Sequence, residues 1–187
     1  LVIGIGEGST DLSLVRVGEP GEPITVIDAV NNDTGGDYAT VLLLGKHLEN
    51  IGSQIGIDVP LTPEAVLADL EGAEKGWLRE AFAEAETELL HKLSERFETI
   101  EGLENFTEKL SGKWGRRPII MSSTVGDDQV ITSMSCQEYL VRLEPFFEST
   151  RTLFTRFLSR GTGSERLPHA ILMTGGGSRI GGLRNRV

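Results

Sequence analysis

The 187-residue chain is 39% hydrophobic and carries a net charge of −10, enough length for one sizeable core or for a core with an inserted second layer. An acidic chain with no basic-aromatic stripe is a poor partner for nucleic acid, and no apolar run reaches membrane-spanning length. Cys136 is the single cysteine, with no partner for a disulfide or a zinc knuckle, and no basic-then-apolar leader is present, so the expectation is a soluble, cytoplasmic chain.

Residues 1–6 form an apolar run that predicts a strand. Residues 10–17 alternate around Leu12, Leu14 and Val15, and residues 24–30 (ITVIDAV) make a third β-rich run. Loops with Gly and Pro separate the three, which predicts an antiparallel meander. The stretch NNDTGGDYA follows as a short connection placed to touch a ligand. TVLLLGKHLENIG then shows helical spacing at Val41, Leu44 and Leu48 and a stop at Gly52.

From Thr62 the pattern is helical: Thr62, Pro63 and Glu64 supply an N-cap, a first-turn proline and an acid at the positive end of the dipole. A longer helix is predicted from Lys75, with Leu78, Phe82, Ala85, Leu89, Leu93, Phe97 and Ile100 facing a core. The net charge is −6 over residues 1–57, −9 over 58–111 and +5 over 112–187, so the acid sits mainly on this stretch as a solvated helix face.

PIIMSSTVGDDQVITSMS reads as two β-runs around Gly126, Asp127 and Asp128, a hairpin signal. Ser135, Cys136, Gln137 and Glu138 read as a capping box. The helix it opens carries Leu140, Leu143, Phe147, Phe154 and Phe157, with Pro145 expected to kink it. A polar loop, SRGTGSERLP, leads to HAILMT, expected as a short buried strand, and then to glycines and a helix start.

This order predicts an α/β fold: a mixed sheet of meander plus one parallel strand, with an insertion between its helices. The expected subdomains are residues 1–57 with 136–187 for the sheet and its helices, and 58–135 for a helix-plus-hairpin insertion. The chain begins without methionine inside an expected strand and ends just past a helix start, the pattern of a piece of a larger domain. His47, His91 and His169 lack metal-ligand spacing and read as packing or surface groups, as do Trp77 and Trp114.

Two apolar runs stop abruptly in glycines, LVIGIGEGSTD near one end and AILMTGGGSRIGG near the other. Without a Cβ, the backbone turns tightly and its N–H groups approach an anion closely. Gly6, Gly8 and Ser9 would then hold a terminal phosphate while Asp11 holds a hydrated cation or water; a plain hairpin has the same spacing. TGGGSRIGG is similar to the pyrophosphate loop of short-chain dehydrogenases, which implies NAD(P). Only seven residues follow Ile180, which leaves the rest of a βαβ dinucleotide fold no room.

Taken together, GIGEGSTD (residues 4–11), NDTGG (32–36) and TGGGSRIG (174–181) resemble a known set of loops. They are those of the second lobe of the ATPase domain of 70-kilodalton heat-shock chaperones, in the actin-like ATPase superfamily with its ribonuclease H-like fold. The resemblance spans nearly the whole chain, since the intervening helices and hairpin match the family's small upper subdomain in order and length. It implies ATP or ADP with magnesium as cofactors. Gly6, Gly8, Ser9, Thr10, Gly35 and Gly36 would lie at the phosphates, and Asp11 would be both the catalytic carboxylate and a magnesium ligand. Gly175, Gly176, Gly177 and Ser178 would border the adenosine. Arg179 would stack beside the ring, its other reading being a surface cation. The implied partners are the first lobe of the same ATPase domain and, through the parent protein, co-chaperones or client proteins.

Four departures bear on mechanism. Gly4 stands where the family has a first-strand aspartate that positions metal-bound and attacking water. Glu7 replaces a glycine beside the γ-phosphate, a repulsion of about 1 kcal/mol even when solvated unless a cation bridges it. Ala83, Glu86 and Leu90 stand where the family reads purine and ribose with Glu, Lys and Ser. The chain contains neither the first lobe nor the strand expected after the adenosine helix, and phosphoryl transfer needs positioning from both sides. Three functions follow as alternatives: a nucleotide-binding lobe unable to hydrolyse ATP by itself, a degenerate non-hydrolysing interaction or regulatory module, and a dinucleotide-binding oxidoreductase piece.

Overall fold

A computed structural model of the chain describes residues 1–56, 116, 118–125, 127–160, 168–180 and 182–183. The helices expected between Thr62 and Ile100 lie outside the described residues. So do Trp77, His91, Trp114 and the Ala83, Glu86 and Leu90 positions.

Three strands open the chain: β1 (Val2–Ile5), β2 (Thr10–Arg16) and β3 (Thr25–Asn32). β1 pairs antiparallel with β2, and β2 antiparallel with β3 across an irregularity between Leu14 and Val15. β6 (Leu172–Thr174) joins the free side of β1 in parallel, with Val2 opposite Leu172 and Gly4 opposite Thr174. The sheet order is therefore β3-β2-β1-β6: an α/β chain with a mixed sheet of meander plus parallel strand, as the order of runs predicts.

Side chains at Ile3, Ile5, Leu12 and Leu14 are buried, in keeping with the two-residue period of strands that carry one core face. β6 departs from expectation: Ile171 and Leu172 are 54% and 62% exposed. Among the described residues β6 is an edge strand, paired on one side only, so hydrophobic composition alone did not bury it.

Helix α1 (Gly36–Ile55) is longer than its apolar spacing suggests. Val41, Leu44 and Leu48 are buried as expected, but Gly52 sits inside the helix. The chain leaves the helix at Gly56, whose φ of 72° is the left-handed conformation common just past a helix end. Strands β4 (Ile119–Val125) and β5 (Asp128–Met134) form the expected hairpin, closed by the Val125–Asp128 pair.

Helix α2 (Cys136–Ser159) begins with the predicted capping box. Glu138 N–H donates to Ser135 Oγ at 3.1 Å, and Ser135 N–H donates to Glu138 Oε2 at 2.7 Å. The Ser135 backbone N–H first, and the Ser135 side chain after it, hold the Glu138 carboxyl below its usual pKa. The helix continues unbroken through Pro145.

Two compact units divide the chain, Leu1–Asp37 with Pro145–Val187, and Tyr38–Glu144, so α1 and α2 each contribute residues to both. In the first unit the buried apolar residues include those of β1 and β2 with Phe146, Phe147, Leu153 and Phe157. In the second they include Leu43, Leu44, Leu48, Ile51, Met121, Met134, Tyr139 and Leu143. No described helix is long and apolar enough to cross a membrane.

Candidate functional site

The parallel pair β1/β6 brings two glycine segments to one end of the sheet. β1 ends at Ile5 and β6 at Thr174, and each runs straight into glycine at its C-terminal end, where ligands of open α/β sheets bind. Between β1 and β2, Gly6 N–H donates to the Ser9 carbonyl at 2.9 Å and closes a tight turn. Gly6, Glu7 and Gly8 are exposed at its tip, and nothing approaches within 4 Å of where a Gly8 side chain would project.

The third segment, Gly35 and Gly36, rests on this turn. Gly36 N–H donates to the Gly6 carbonyl at 2.8 Å and Asp37 N–H to the Glu7 carbonyl at 2.9 Å. Those two amides belong to the first turn of α1, where N–H groups have no partner within the helix, so the glycine turn caps the helix with its own carbonyls. Gly35 is buried so tightly against the Glu7 carbonyl and Ser9 amide that any Cβ would overlap them.

On the other side, Gly175 adopts φ 87° and lies against the Ile5 carbonyl, while Gly177 is buried on the Ile5 side chain. The residues that follow make one short 3-10 turn, Gly176–Arg179, in place of the expected α-helix start. Ser178 closes that turn, its N–H donating to the Gly175 carbonyl at 3.2 Å and its Oγ to the same oxygen at 2.7 Å.

All three segments named from the sequence therefore converge, and Ile5 to Ser9 is their common floor. Individual side chains are placed less uniformly. Thr10 is fully buried and its hydroxyl donates to the Thr34 carbonyl at 2.6 Å, tying β2 to the β3–α1 connection. Asp11 is exposed and accepts a hydrogen bond from Ser9 Oγ at 3.0 Å. The Ser178 hydroxyl is engaged by its own turn. Of Arg179 only the backbone is described. At Gly4 the nearest atoms to an added Cβ are Thr174 Cγ2 at 3.8 Å and Asp11 Cβ at 3.9 Å, ordinary contact distances, so the strand has room for a side chain there.

The shelf is acidic. Glu7, Asp11, Asp33 and Asp37 are all carboxylates on or beside it. Asp37 is half-buried, and that desolvation, with the Glu7 charge adding to it, raises its pKa above 3.8. Such surroundings oppose a bare phosphate and suit a polyphosphate that arrives with a divalent cation. Among the described residues no group of three or more His, Cys, Asp and Glu is arranged to hold a metal by itself, so Asp11 would need oxygen donors from ligand and water to complete a magnesium shell.

Other concavities lie away from the shelf. One of about 310 Å³ in the second unit is lined by Lys46, Asn50, Thr132, Ser133, Glu138 and Arg142. Another, about 620 Å³, lies at the opposite ends of the strands, among Leu1, Val15, Ile27 and Leu172.

A buried polar cluster had no sequence signal at all. His47 is fully buried, with Nδ1 2.9 Å from Thr132 Oγ1 and Nε2 2.9 Å from Ser123 Oγ, and Asn50 Nδ2 donates to Thr132 Oγ1 at 2.8 Å. Seventy-six and 85 positions separate His47 from its hydroxyl partners, so no local motif exists to find. His169, by contrast, is exposed.

No protein-family model matches the chain, and no curated protein is significantly similar to it in sequence.

Proposed function

We propose that the chain is the nucleotide-binding lobe of an ATPase like that of the 70-kilodalton heat-shock chaperones, taking ATP or ADP with magnesium at the glycine shelf. The observation that carries this reading is the meeting of all three glycine segments at the C-terminal ends of β1 and β6. The β3-β2-β1-β6 order, an antiparallel meander extended by a parallel strand, supports assignment to the ribonuclease H-like, actin-like ATPase fold.

In this reading the exposed tip of the Gly6–Ser9 turn receives the phosphates, and Gly8 leaves it sterically open. Asp11 would hold the hydrated magnesium, with Ser9 Oγ fixing one of its carboxylate oxygens. Gly175 to Ser178 border the adenosine, and Gly175 and Gly177 keep that border flush against Ile5. Magnesium, when bound, neutralises phosphate charge beside Glu7 and Asp11. The facing half of the cleft would come from the first lobe of the same domain, and co-chaperones or clients would act on the parent protein.

A second reading, a degenerate regulatory module that does not hydrolyse nucleotide, is favoured by Gly4 and Glu7 and by the first amides of α1, already bonded to the Gly6 and Glu7 carbonyls. Titrating ATP, ADP and NADH, each with magnesium, into the full chain while following binding heat and unfolding temperature separates these. A ligand at a hundred times its dissociation constant stabilises by about 2.7 kcal/mol. Stabilisation by ATP or ADP that Asp11→Lys abolishes is expected. No binding of either nucleotide overturns the lobe reading, and binding of NADH alone moves it to the oxidoreductase class.

A further inference from the structure

The β3–α1 connection is held in place by a residue distant in sequence. Ser149 lies in the middle of α2, where a serine hydroxyl often bonds back to its own helix; its neighbour Thr150 does so, donating to the Phe146 carbonyl at 3.0 Å. Ser149 reaches outward instead. Its Oγ accepts from Asn32 Nδ2 at 3.0 Å and shares a hydrogen bond with Thr34 Oγ1, also 3.0 Å. Asn32 Oδ1 in turn accepts the Thr34 N–H at 3.4 Å, closing a ring of three residues.

Thr34 is thereby held at each of its polar groups: the amide by Asn32, the hydroxyl by Ser149 and the carbonyl by Thr10. The next residue, Gly35, is the one pressed on the Glu7 carbonyl, and the one after it, Gly36, donates to Gly6. Two peptide units thus separate the clamp at Thr34 from the amide that bonds to the floor of the shelf. Backbone this short and this constrained transmits displacement, since packed groups have no slack to absorb it.

We propose that Ser149 is the positioning residue of the glycine shelf: its hydroxyl fixes the Asn32–Gly36 connection against the Gly6–Ser9 turn, so that the placement of α2 sets the shape of the nucleotide site and a bound nucleotide is felt at α2. The ligand in this statement rests on the nucleotide-lobe reading; the clamp itself does not. Coupling of this kind is reciprocal, so whatever loosens the clamp weakens binding, and binding tightens the clamp.

The test uses the full chain as wild type, Ser149→Ala and Ser149→Thr, with two readouts. The first needs no ligand: amide hydrogen exchange at Gly36 and Asp37, whose N–H groups bond to Gly6 and Glu7. The second is the affinity for magnesium-ADP by calorimetry. Ser149→Ala is expected to speed exchange at those two amides about tenfold and to weaken ADP binding by about the same factor, the scale of one lost hydrogen bond. Exchange in the β4–β5 hairpin should stay unchanged. Ser149→Thr keeps the hydroxyl and should restore both values, which a general packing defect would not do.

Unchanged exchange at Gly36 and Asp37 in Ser149→Ala, or equal loss in the Ala and Thr variants, overturns the proposal. Should Ser149→Ala fail to fold, Thr34→Val against Thr34→Ser breaks and preserves the same bond from the other side and decides by the same readouts. If the wild type binds no nucleotide, the lobe reading fails while the exchange data still decide whether Ser149 positions the shelf.

Discussion

Gly175 lies against the carbonyl of Ile5 so closely that a Cβ on it would overlap that oxygen, and its φ of 87° is one that L side chains rarely adopt. The glycine after β6 is thus required by the end of β1, a strand almost the whole chain length away. Steric need and the proposed ligand-binding role coincide at this residue, and substitutions can separate them elsewhere on the shelf.

Gly175→Ala should cost about 2–4 kcal/mol, combining left-handed backbone strain with overpacking against β1. Gly8→Ala meets no atom within 4 Å and has no positive φ, so its stability should stay within about 0.5 kcal/mol of wild type. Denaturant melts of the two variants check this. On the proposed function, Gly8→Ala should nevertheless weaken magnesium-ATP binding, because its methyl projects from the exposed tip of the turn.

His47 joins α1 to both strands of the hairpin through Ser123 and Thr132. His47→Ala would leave a cavity and remove a partner from each of two buried hydroxyls, a cost of about 2–5 kcal/mol. A cycle with Ser123→Ala should be strongly non-additive, because the two share one bond. Additive losses in a urea titration would show that the cluster contributes only packing.

Asp37 gives a pH signature. Its pKa is raised in the fold, first by desolvation and then by Glu7, so the folded state binds this proton more tightly than the unfolded chain. The resulting stability is fully present below the ordinary value of 3.8 and is lost as pH rises through the raised one. Subtracting the stability profile of Asp37→Asn from that of wild type should therefore give a difference that falls with rising pH above 3.8 and then levels off. A flat difference, or one that rises, would contradict the assignment.

The local parts of this protein were legible because their causes are local. The Ser135–Glu138 capping box, the Val41, Leu44 and Leu48 stripe, the β4–β5 hairpin and the three glycine segments each depend on residues a few positions apart, so spacing alone predicts them. The order of those elements also implied a meander joined by a parallel strand, since the last strand has a long crossover before it and the first three have short loops. Element ends were less legible: α1 runs to Ile55 because Gly52 is tolerated inside a packed helix, and β6 is exposed because neighbours, not composition, decide burial.

What only the tertiary structure decided is which groups meet. Thr10 carries a hydroxyl that the family resemblance assigns to the phosphates, yet the fold buries it on Thr34. Ser149 and His47 carry no motif, yet one clamps the glycine shelf and the other fastens a hairpin to a helix. A hydrogen bond is satisfied by any donor within reach, and reach between residues 76 to 117 positions apart is set by packing, which no short stretch of sequence encodes.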